Sequence, residues 1–234
     1  MSEFRAFNAF NHPELQSVAR SKSTISKSTM RFFPGRDFYS EIARALAVRQ
    51  AMSIKEVFES LEFYAHVMHH LTGSVADLFC GHGLVGALFA SRGREVVLVD
   101  KRMPTARSLV LEAVDSVSPG ARSHIRQERK LAALTPGTSV VAVHGCGPRT
   151  DQAIQAAVDC GGDLAVMPCC YPKDAPGPVA VARALGHEMA WDIHRTYRLE
   201  QAGYKVRWSA IPAAITPVNR ILMAKPDTTT PAQL

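Results

Sequence analysis

Asp77-Leu-Phe-Cys-Gly-His-Gly-Leu-Val-Gly86 lies in a stretch that begins with an apolar run at Val75, and the next apolar run ends at Asp100. Three residues of the turn have no β-carbon, so they tolerate unusual dihedrals and let the backbone pass close to a ligand: Gly81, Gly83 and Gly86. A Gly-rich turn between a strand and a helix begins a nucleotide-binding βαβ unit. The stretch therefore predicts a bound group at the turn and a parallel sheet around it.

Strand and helix patterns alternate along the chain on both sides of this turn. Apolar runs predict strands at Val75 to Cys80, Glu95 to Asp100, His124 to Gln127, Ser139 to His144, Asp163 to Met167, Tyr204 to Ile211 and Arg220 to Ala224. Helical patterns lie between them at Leu84 to Arg92, Thr105 to Val117, Asp151 to Cys160 and Val179 to Ala202. This alternation predicts a mostly parallel α/β sheet with helices on its faces, closed by two strands that a Pro-containing loop joins.

Residues 1–70 do not share the alternating pattern. The segment up to about Phe33 mixes Ser and Thr with basic residues and shows no sustained period, so we expect a loosely ordered basic arm. Two helical patterns follow, and Ser53 with Glu56 forms a capping box at the start of the second. We expect an arm and helical extension in 1–70, a main domain in 71–226 and a disordered tail in 227–234.

Two carboxylates indicate which group binds at the turn. Asp100 ends the second strand, where a carboxylate can accept hydrogen bonds from both ribose hydroxyls of an adenosine; the alternative is a simple helix cap. The glycines also fit a dinucleotide motif, but Asp77 would repel a pyrophosphate and can hold the cationic methionine end of S-adenosylmethionine. The pattern therefore favours S-adenosylmethionine over a nicotinamide cofactor.

Further residues complete the predicted cofactor site. Gln127 or Glu128, at the end of the third strand, is a candidate for contact with the exocyclic amine of adenine. The other residues expected to contact the cofactor are Phe79, Lys101, His144 and Cys146.

Two more motifs follow the fourth and fifth predicted strands. His144-Gly-Cys-Gly-Pro-Arg-Thr-Asp151 and Met167-Pro-Cys-Cys-Tyr-Pro172 both begin at carboxyl ends of parallel strands, the edge where ligands bind in such sheets. We expect an acceptor site there, with His144, Cys169, Cys170 and Tyr171 as its catalytic candidates.

These motifs resemble those of a methyltransferase family that includes eukaryotic tRNA 2′-O-methyltransferases and related methyltransferase-like proteins. Its hallmarks are H-x-C-G-x-x-T-D and a later P-C-C-H or similar run, and the resemblance extends from about Val75 to Ala224. It implies a class I, Rossmann-like methyltransferase fold, S-adenosylmethionine as cofactor and RNA as substrate. Tyr171 stands where related sequences often have His, so no role of that His is carried over.

Several chemical roles remain open for these side chains. His144 suits proton transfer near neutral pH, but it could equally tie loops together. The Cys169 and Cys170 thiols could attack a pyrimidine ring, bind zinc with His144 and Cys146, or pack against the cofactor. Adjacent cysteines strain a tetrahedral shell and there is no C-x-x-C pair, so we expect no metal. Thr150 is expected to cap the next helix.

Composition limits the location and the partners. The 234 residues carry a net charge of +6 and five cysteines, an odd number that argues against a disulfide framework. No apolar stretch is long enough to cross a membrane and the amino terminus lacks a signal-peptide core, so we expect a cytoplasmic protein. The positive charge favours RNA, and the basic candidates for contact with it are Arg31, Arg36, Lys173, Arg195 and Arg198.

The hypothesis from the sequence is a methyltransferase that modifies RNA at an oxygen or nitrogen atom. Methylation of a protein or small molecule is the first alternative, and a non-catalytic module that binds the cofactor or RNA is the second.

Overall fold

A computed structural model of the protein describes residues 4–7, 13–174 and 176–228. The strands are β1 (Val75–Leu78), β2 (Val96–Val99), β3 (Ile125–Glu128), β4 (Ser139–Val143), β5 (Leu164–Met167), β6 (Tyr204–Ala210) and β7 (Arg220–Pro226). The α-helices are α1 (Pro13–Val18), α2 (Phe38–Arg49), α3 (Ile54–Val67), α4 (Leu84–Ala90), α5 (Arg107–Val117), α6 (Pro148–Cys160), α7 (Val179–Leu185) and α8 (His187–Gln201). Two short 3-10 helices cover Lys27–Phe32 and Ala121–His124.

In the described part of the chain, seven strands form one sheet in the order β3-β2-β1-β4-β5-β7-β6. The first five strands of that order are parallel, and β7 runs antiparallel between β5 and β6. The chain passes outward from β1 to β3 and then returns to β4, which creates a topological switch point beside β1. The predicted class I, Rossmann-like methyltransferase fold is confirmed by this arrangement.

The sheet separates two hydrophobic cores because side chains alternate between its faces along each strand. Val75, Val141 and Met167 lie on the face covered by α3, α4 and α5. Ala76, Leu78 and Val166 lie on the opposite face, against α6 and α8. The two layers hold the carboxyl ends of β1, β2, β4 and β5 at one common edge.

The amino-terminal segment packs into the first of these cores. Phe7 and Phe33 are almost fully buried, and the Phe7 ring lies 5.6 Å from that of Phe33 and 5.3 Å from that of Phe58 on α3. The expected loose arm is therefore wrong for residues 13–33, because buried aromatic and aliphatic side chains anchor a segment that has no helical period. The predicted capping box of Ser53 and Glu56 is present at the start of α3.

The long helix predicted at Val179 to Ala202 is two helices. Gly186 lies between α7 and α8 with a φ of +85°, a conformation that glycine adopts without strain. All predicted strands occur to within two residues of their expected ends. Of the predicted tail, Asp227 pairs with Lys205 at 2.8 Å, and residues 229–234 lie outside the described residues.

None of the helices in the described ranges combines the length and hydropathy that crossing a membrane requires.

Candidate active site

The Gly-rich turn joins β1 to α4. Gly83 is the N-cap of α4 with a φ of +76°, which favours glycine. A β-carbon on Gly86 would overlap the Leu98 side chain of β2 and lie 3.2 Å from Cβ of Asp77. Gly86 therefore permits α4 to pack closely on the sheet. At Gly81, by contrast, a β-carbon would point into open space, with no atom within 4 Å.

Asp77 is buried beneath this turn. The Gly86 N–H donates to its Oδ2 at 2.8 Å. One backbone donor in the first turn of α4 is therefore already hydrogen-bonded within the protein. Burial raises the pKa of Asp77 to about 7, although the Gly86 N–H and the Arg107 cation act in the opposite direction. Asp77 also lines a pocket together with Phe79, Gly81, Gly83 and His144, as expected for residues that share one ligand.

Asp100 connects the ends of β1 and β2. The Gly81 N–H donates to its Oδ2 at 2.9 Å, and the Arg102 N–H donates to its Oδ1 at 2.9 Å. The alternative of a helix cap is wrong, because α5 begins at Arg107 and its N-cap is Ala106. Each carboxylate oxygen can accept a second hydrogen bond, so Asp100 is fixed and still available to hydroxyl donors.

Arg107 organises this side of the site and was missed in the sequence. Its side chain is 3% exposed, and its Nε donates to the Gly81 carbonyl at 2.9 Å. The same guanidinium contacts the Arg102 carbonyl at 3.2 Å and Gln127 Oε1 at 3.4 Å. It therefore joins the loops after β1 and β2 to β3. Nothing in the sequence signals this role, because Arg107 stands alone in an ordinary amphipathic helix pattern.

The other predicted cofactor residues lie around this cluster. Glu128 is half-buried at the end of β3, and its side chain lies 3.6 Å from Arg126, while its carbonyl accepts from the Asp100 N–H. Lys101 is exposed on the loop after β2. Phe79 has a φ of +58°, and the Arg149 guanidinium lies 5.7 Å from the centre of its ring.

His144 directly follows β4 and contacts a helix of the amino-terminal extension. Its Nε2 lies 3.0 Å from Oε2 of Glu59 on α3, and Glu59 is 1% exposed. His144 has a φ of +64°, and non-glycine residues in this left-handed region cluster at functional sites. The structure therefore brings a buried acid to the predicted acceptor site from a helix far away in sequence.

Glu59 is also a residue that the sequence reasoning missed. Burial raises its pKa, but the contacts with His144 and with the Lys55 ammonium, 2.7 Å away, outweigh burial and lower the pKa overall. The available signal was a helix whose apolar face contains Glu59, Glu62 and His66 at helical spacing, all of them buried. Buried acids are rare without partners, so this pattern predicts a partner on another element.

Three cysteines meet where the loops after β4 and β5 come together. Sγ of Cys146 lies 3.0 Å from Sγ of Cys169, and Sγ of Cys169 lies 3.8 Å from Sγ of Cys170. All three are free thiols, and Cys146 and Cys170 are exposed. Burial raises the pKa of Cys170, but the two neighbouring thiols, the Gly147 backbone and Arg149 outweigh it and lower the pKa; burial raises the pKa of Cys146 and Cys169.

Tyr171 anchors the loop after β5. Its hydroxyl donates to Oδ2 of Asp192 on α8 at 2.8 Å, and Nε of Arg220 donates to the same oxygen at 2.6 Å. Burial and the Asp192 charge raise the pKa of Tyr171. The phenol that the sequence suggested as catalytic is therefore held in an ion-pair network.

The loop after β4 is held in a similar way. Thr150 does not cap α6 as predicted; the helix begins earlier, at Pro148, a residue that suits the first helical position, and Thr150 Oγ1 donates to the Gly145 carbonyl at 2.6 Å. Asp151 pairs with Arg195 at 3.0 Å and with Arg198 at 3.3 Å. Arg195 is fully buried, so its predicted contact with RNA is wrong.

No family model and no curated protein matches the sequence. Solved structures resemble it, among them an O-methyltransferase family protein from Burkholderia thailandensis, with 18% identity, 93% of this chain and 68% of that chain covered, and a TM-score of 0.47. Another is magnesium protoporphyrin IX methyltransferase from Synechocystis with bound S-adenosylhomocysteine. Its identity to this chain is 16%, the match covers 88% of this chain and 97% of that chain, and the TM-score is 0.45. A third is an rRNA methylase from Streptococcus thermophilus, with 17% identity, 70% of this chain and 92% of that chain covered, and a TM-score of 0.43. At these values the likeness says nothing about activity.

Proposed function

We propose that the protein is an S-adenosylmethionine-dependent methyltransferase that modifies an oxygen or nitrogen atom. The observation that carries this proposal is Asp100, which the Gly81 and Arg102 N–H groups hold at the end of β2. A carboxylate fixed there, next to a Gly-rich turn at a topological switch point, suits the ribose hydroxyls of an adenosine.

Asp77 supports a methyl donor over a dinucleotide. A pyrophosphate bound in this fold uses free N–H groups in the first turn of the helix. In α4 the Gly86 N–H already donates to the buried Asp77 carboxyl, which would also repel a phosphate. The same carboxyl is suited to the ammonium group of a bound amino acid, so these residues fit S-adenosylmethionine.

The other end of the pocket supports transfer to a neutral acceptor. When bound, S-adenosylmethionine supplies a methyl group already activated by its sulfonium. His144 is the side chain we assign to receive the proton that an oxygen or nitrogen acceptor loses. Glu59 is a positioning residue, because its buried carboxylate lies 3.0 Å from the His144 ring. His144 follows β4 and Glu59 belongs to α3, so this pair depends on the packing of α3 against the sheet.

RNA is the acceptor class that we propose. The chain has a net charge of +6, and phosphate backbones are bound through exposed Lys and Arg side chains. Four such residues follow β2 and β3 at the edge where the cofactor is expected: Lys101, Arg102, Arg129 and Lys130. A polyanion bound there would lie beside the proposed active site.

Calorimetry with S-adenosylhomocysteine tests the cofactor. We expect binding by the wild type, and an affinity at least about tenfold lower for Asp100→Ala, because hydrogen bonds to a charged group contribute about 1.5–3 kcal/mol. Glu112→Ala removes an exposed carboxylate from the middle of α5 and is the matched control. Wild-type protein that does not bind, or an Asp100→Ala variant that binds normally, contradicts the proposal.

Transfer of a labelled methyl group to fractionated RNA, protein and small molecules tests the reaction and the acceptor. We expect label in RNA, less of it for the double variant Lys101→Ala, Arg129→Ala, and no change for Arg207→Ala, which removes an exposed cation from β6. Label in protein or in small molecules contradicts the RNA proposal. Binding of S-adenosylhomocysteine without labelling of any fraction would favour a non-catalytic module.

A further inference from the structure

The thiol groups of Cys146, Cys169 and Cys170 form a cluster that the proposed methyl transfer does not use. Their three Sγ atoms all lie within 4.8 Å of one another. The sheet brings them together: β4 and β5 are parallel neighbours with Val143 paired to Met167, so the residues just beyond both strand ends meet. We propose that this cluster is a zinc site with three cysteine ligands and an open fourth position.

The distances between the sulfur atoms suit such a site. A Zn–S bond of about 2.3 Å in a tetrahedral shell places the sulfurs about 3.8 Å apart. Cys169 and Cys170 have this separation, 3.8 Å, although they are adjacent in sequence. The strain expected when adjacent cysteines share a tetrahedral shell is therefore small at this separation. Cys146 and Cys169 are 3.0 Å apart and need to separate by less than 1 Å to accept the ion.

Contacts with α8 support the loops that carry the thiols. Tyr171 lies in the loop after β5, and Asp151 lies in the first turn of α6, directly after the loop that follows β4. Each binds a buried charged residue of α8, Asp192 and Arg195 respectively. A rigid support of this kind lowers the entropy that three ligands lose when a metal binds. Thiolates favour zinc over hard cations such as magnesium or calcium.

The number of ligands indicates the kind of zinc site. Within the described residues, no fourth His, Cys, Asp or Glu joins the cluster. Structural zinc sites have four protein ligands, whereas sites with three keep a position for water or substrate. The cluster lies at the same sheet edge as His144, two residues before Cys146, so the open position is at the proposed acceptor side.

Metal content and cobalt substitution test the site in the full-length protein, purified with a phosphine reductant. We expect about one equivalent of zinc by elemental analysis, and a Co²⁺-loaded form with intense visible bands and thiolate-to-cobalt charge-transfer absorption. The variants Cys146→Ser, Cys169→Ser and Cys170→Ser should each bind Zn²⁺ at least about tenfold more weakly than the wild type. Cys160→Ser removes a buried thiol of α6 outside the cluster and should bind normally.

Protection of the wild-type thiols from alkylation keeps the test independent of how the variants fold. With added Zn²⁺, iodoacetamide should label Cys146, Cys169 and Cys170 much more slowly, and the labelling of Cys80 and Cys160 should not change. Reduced protein that binds neither Zn²⁺ nor Co²⁺, equal protection of all five cysteines, or an equal loss in Cys160→Ser would overturn the proposal. A Cys146–Cys169 disulfide that forms in air while the reduced protein binds no metal would instead identify a redox pair. Binding of S-adenosylhomocysteine, measured in parallel, reports separately on the methyltransferase proposal.

Discussion

The two sides of the proposed site are built in different ways. On the cofactor side, the loops after β1 and β2 are held by contacts within the stretch from Asp77 to Arg107: the N–H groups of Gly81 and Gly86 bind Asp100 and Asp77, and Arg107 binds the Gly81 carbonyl. On the acceptor side, the loops after β4 and β5 are held by side chains from distant elements, such as Glu59 of α3. The cofactor side is therefore a local property of the chain, and the acceptor side is a product of tertiary packing.

This difference has a consequence for mutations. A change on the cofactor side alters a short stretch whose geometry depends on glycine and on two carboxylates. A change on the acceptor side can act from a helix more than eighty residues away, since we propose that Glu59 positions His144. Parallel measurements of methyl transfer, stability and affinity therefore separate the two sides.

The largest effect is expected on the acceptor side, from Glu59→Gln. The change keeps the size of the side chain and removes the charge that faces the His144 ring at 3.0 Å. Assisted proton transfer contributes about 10²–10⁴-fold to a rate, so we expect kcat to fall about 10²–10³-fold. The affinity for S-adenosylhomocysteine should stay within about twofold, because Asp100 and Asp77 are untouched.

Glu41→Gln is the matched control for this change, because Glu41 is an exposed acid on the neighbouring helix α2. Single-turnover transfer to the labelled acceptor and calorimetry are the two measurements. A Glu59→Gln enzyme with normal kcat would show that His144 needs no partner from α3.

The next effect is on stability and belongs to the cofactor side. Gly86→Ala places a methyl group against Leu98 and at 3.2 Å from Cβ of Asp77. Overpacking of this kind costs about 1–3 kcal/mol, so the free energy of unfolding should fall by that amount in urea denaturation. Gly81→Ala is the comparison, since open space surrounds that position and only its φ of +51° resists a β-carbon. Equal losses in both variants would contradict the packing role of Gly86.

Arg107→Lys should weaken the cofactor side more gently. Lysine keeps the charge but cannot reproduce the fork that contacts the Gly81 and Arg102 carbonyls. Losing one or two of these hydrogen bonds should reduce the affinity for S-adenosylhomocysteine about tenfold, at roughly 1 kcal/mol for each bond. Arg122→Lys, at an exposed Arg beyond α5, is the control in the same titration. An unchanged Kd for Arg107→Lys would remove Arg107 from the cofactor site.

The same contrast explains what the sequence could predict. The Gly-rich turn, Asp77 and Asp100 could be predicted because their spacing follows directly from the backbone geometry of a strand-turn-helix-strand unit. The mostly parallel sheet with helices on its faces followed from the alternation of apolar runs, whereas the order of the strands did not. Glu59, by contrast, was missed because its partner is set by how α3 packs on the sheet.

The cysteine cluster shows a further limit of sequence reasoning. The spacing of Cys146 from Cys169 and Cys170 gives no C-x-x-C pair, and the cluster exists because β4 and β5 are neighbours. The amino-terminal segment is a similar case, since Phe7 and Phe33 are buried by contact with Phe58 without any local period.

The smallest expected effect is a pH dependence of cofactor binding, which comes from Asp77. Burial raises its pKa to about 7, so in the free protein the carboxyl is largely protonated below that pH and ionised above it. A raised pKa means that its contribution to folding is fully present below the unfolded value and is lost as the pH rises through about 7. A cationic ammonium group beside it favours the ionised form and therefore lowers the pKa of Asp77 in the complex.

Binding and folding should thus respond to pH in opposite directions. The affinity for S-adenosylhomocysteine should rise about three- to tenfold from pH 6 to pH 8, which calorimetry in several buffers can measure together with the release of a proton. Asp77→Asn should remove most of this slope, because an amide does not titrate. Glu112→Gln, at an exposed acid on α5, should retain it. An unchanged slope in Asp77→Asn would place the ammonium group elsewhere.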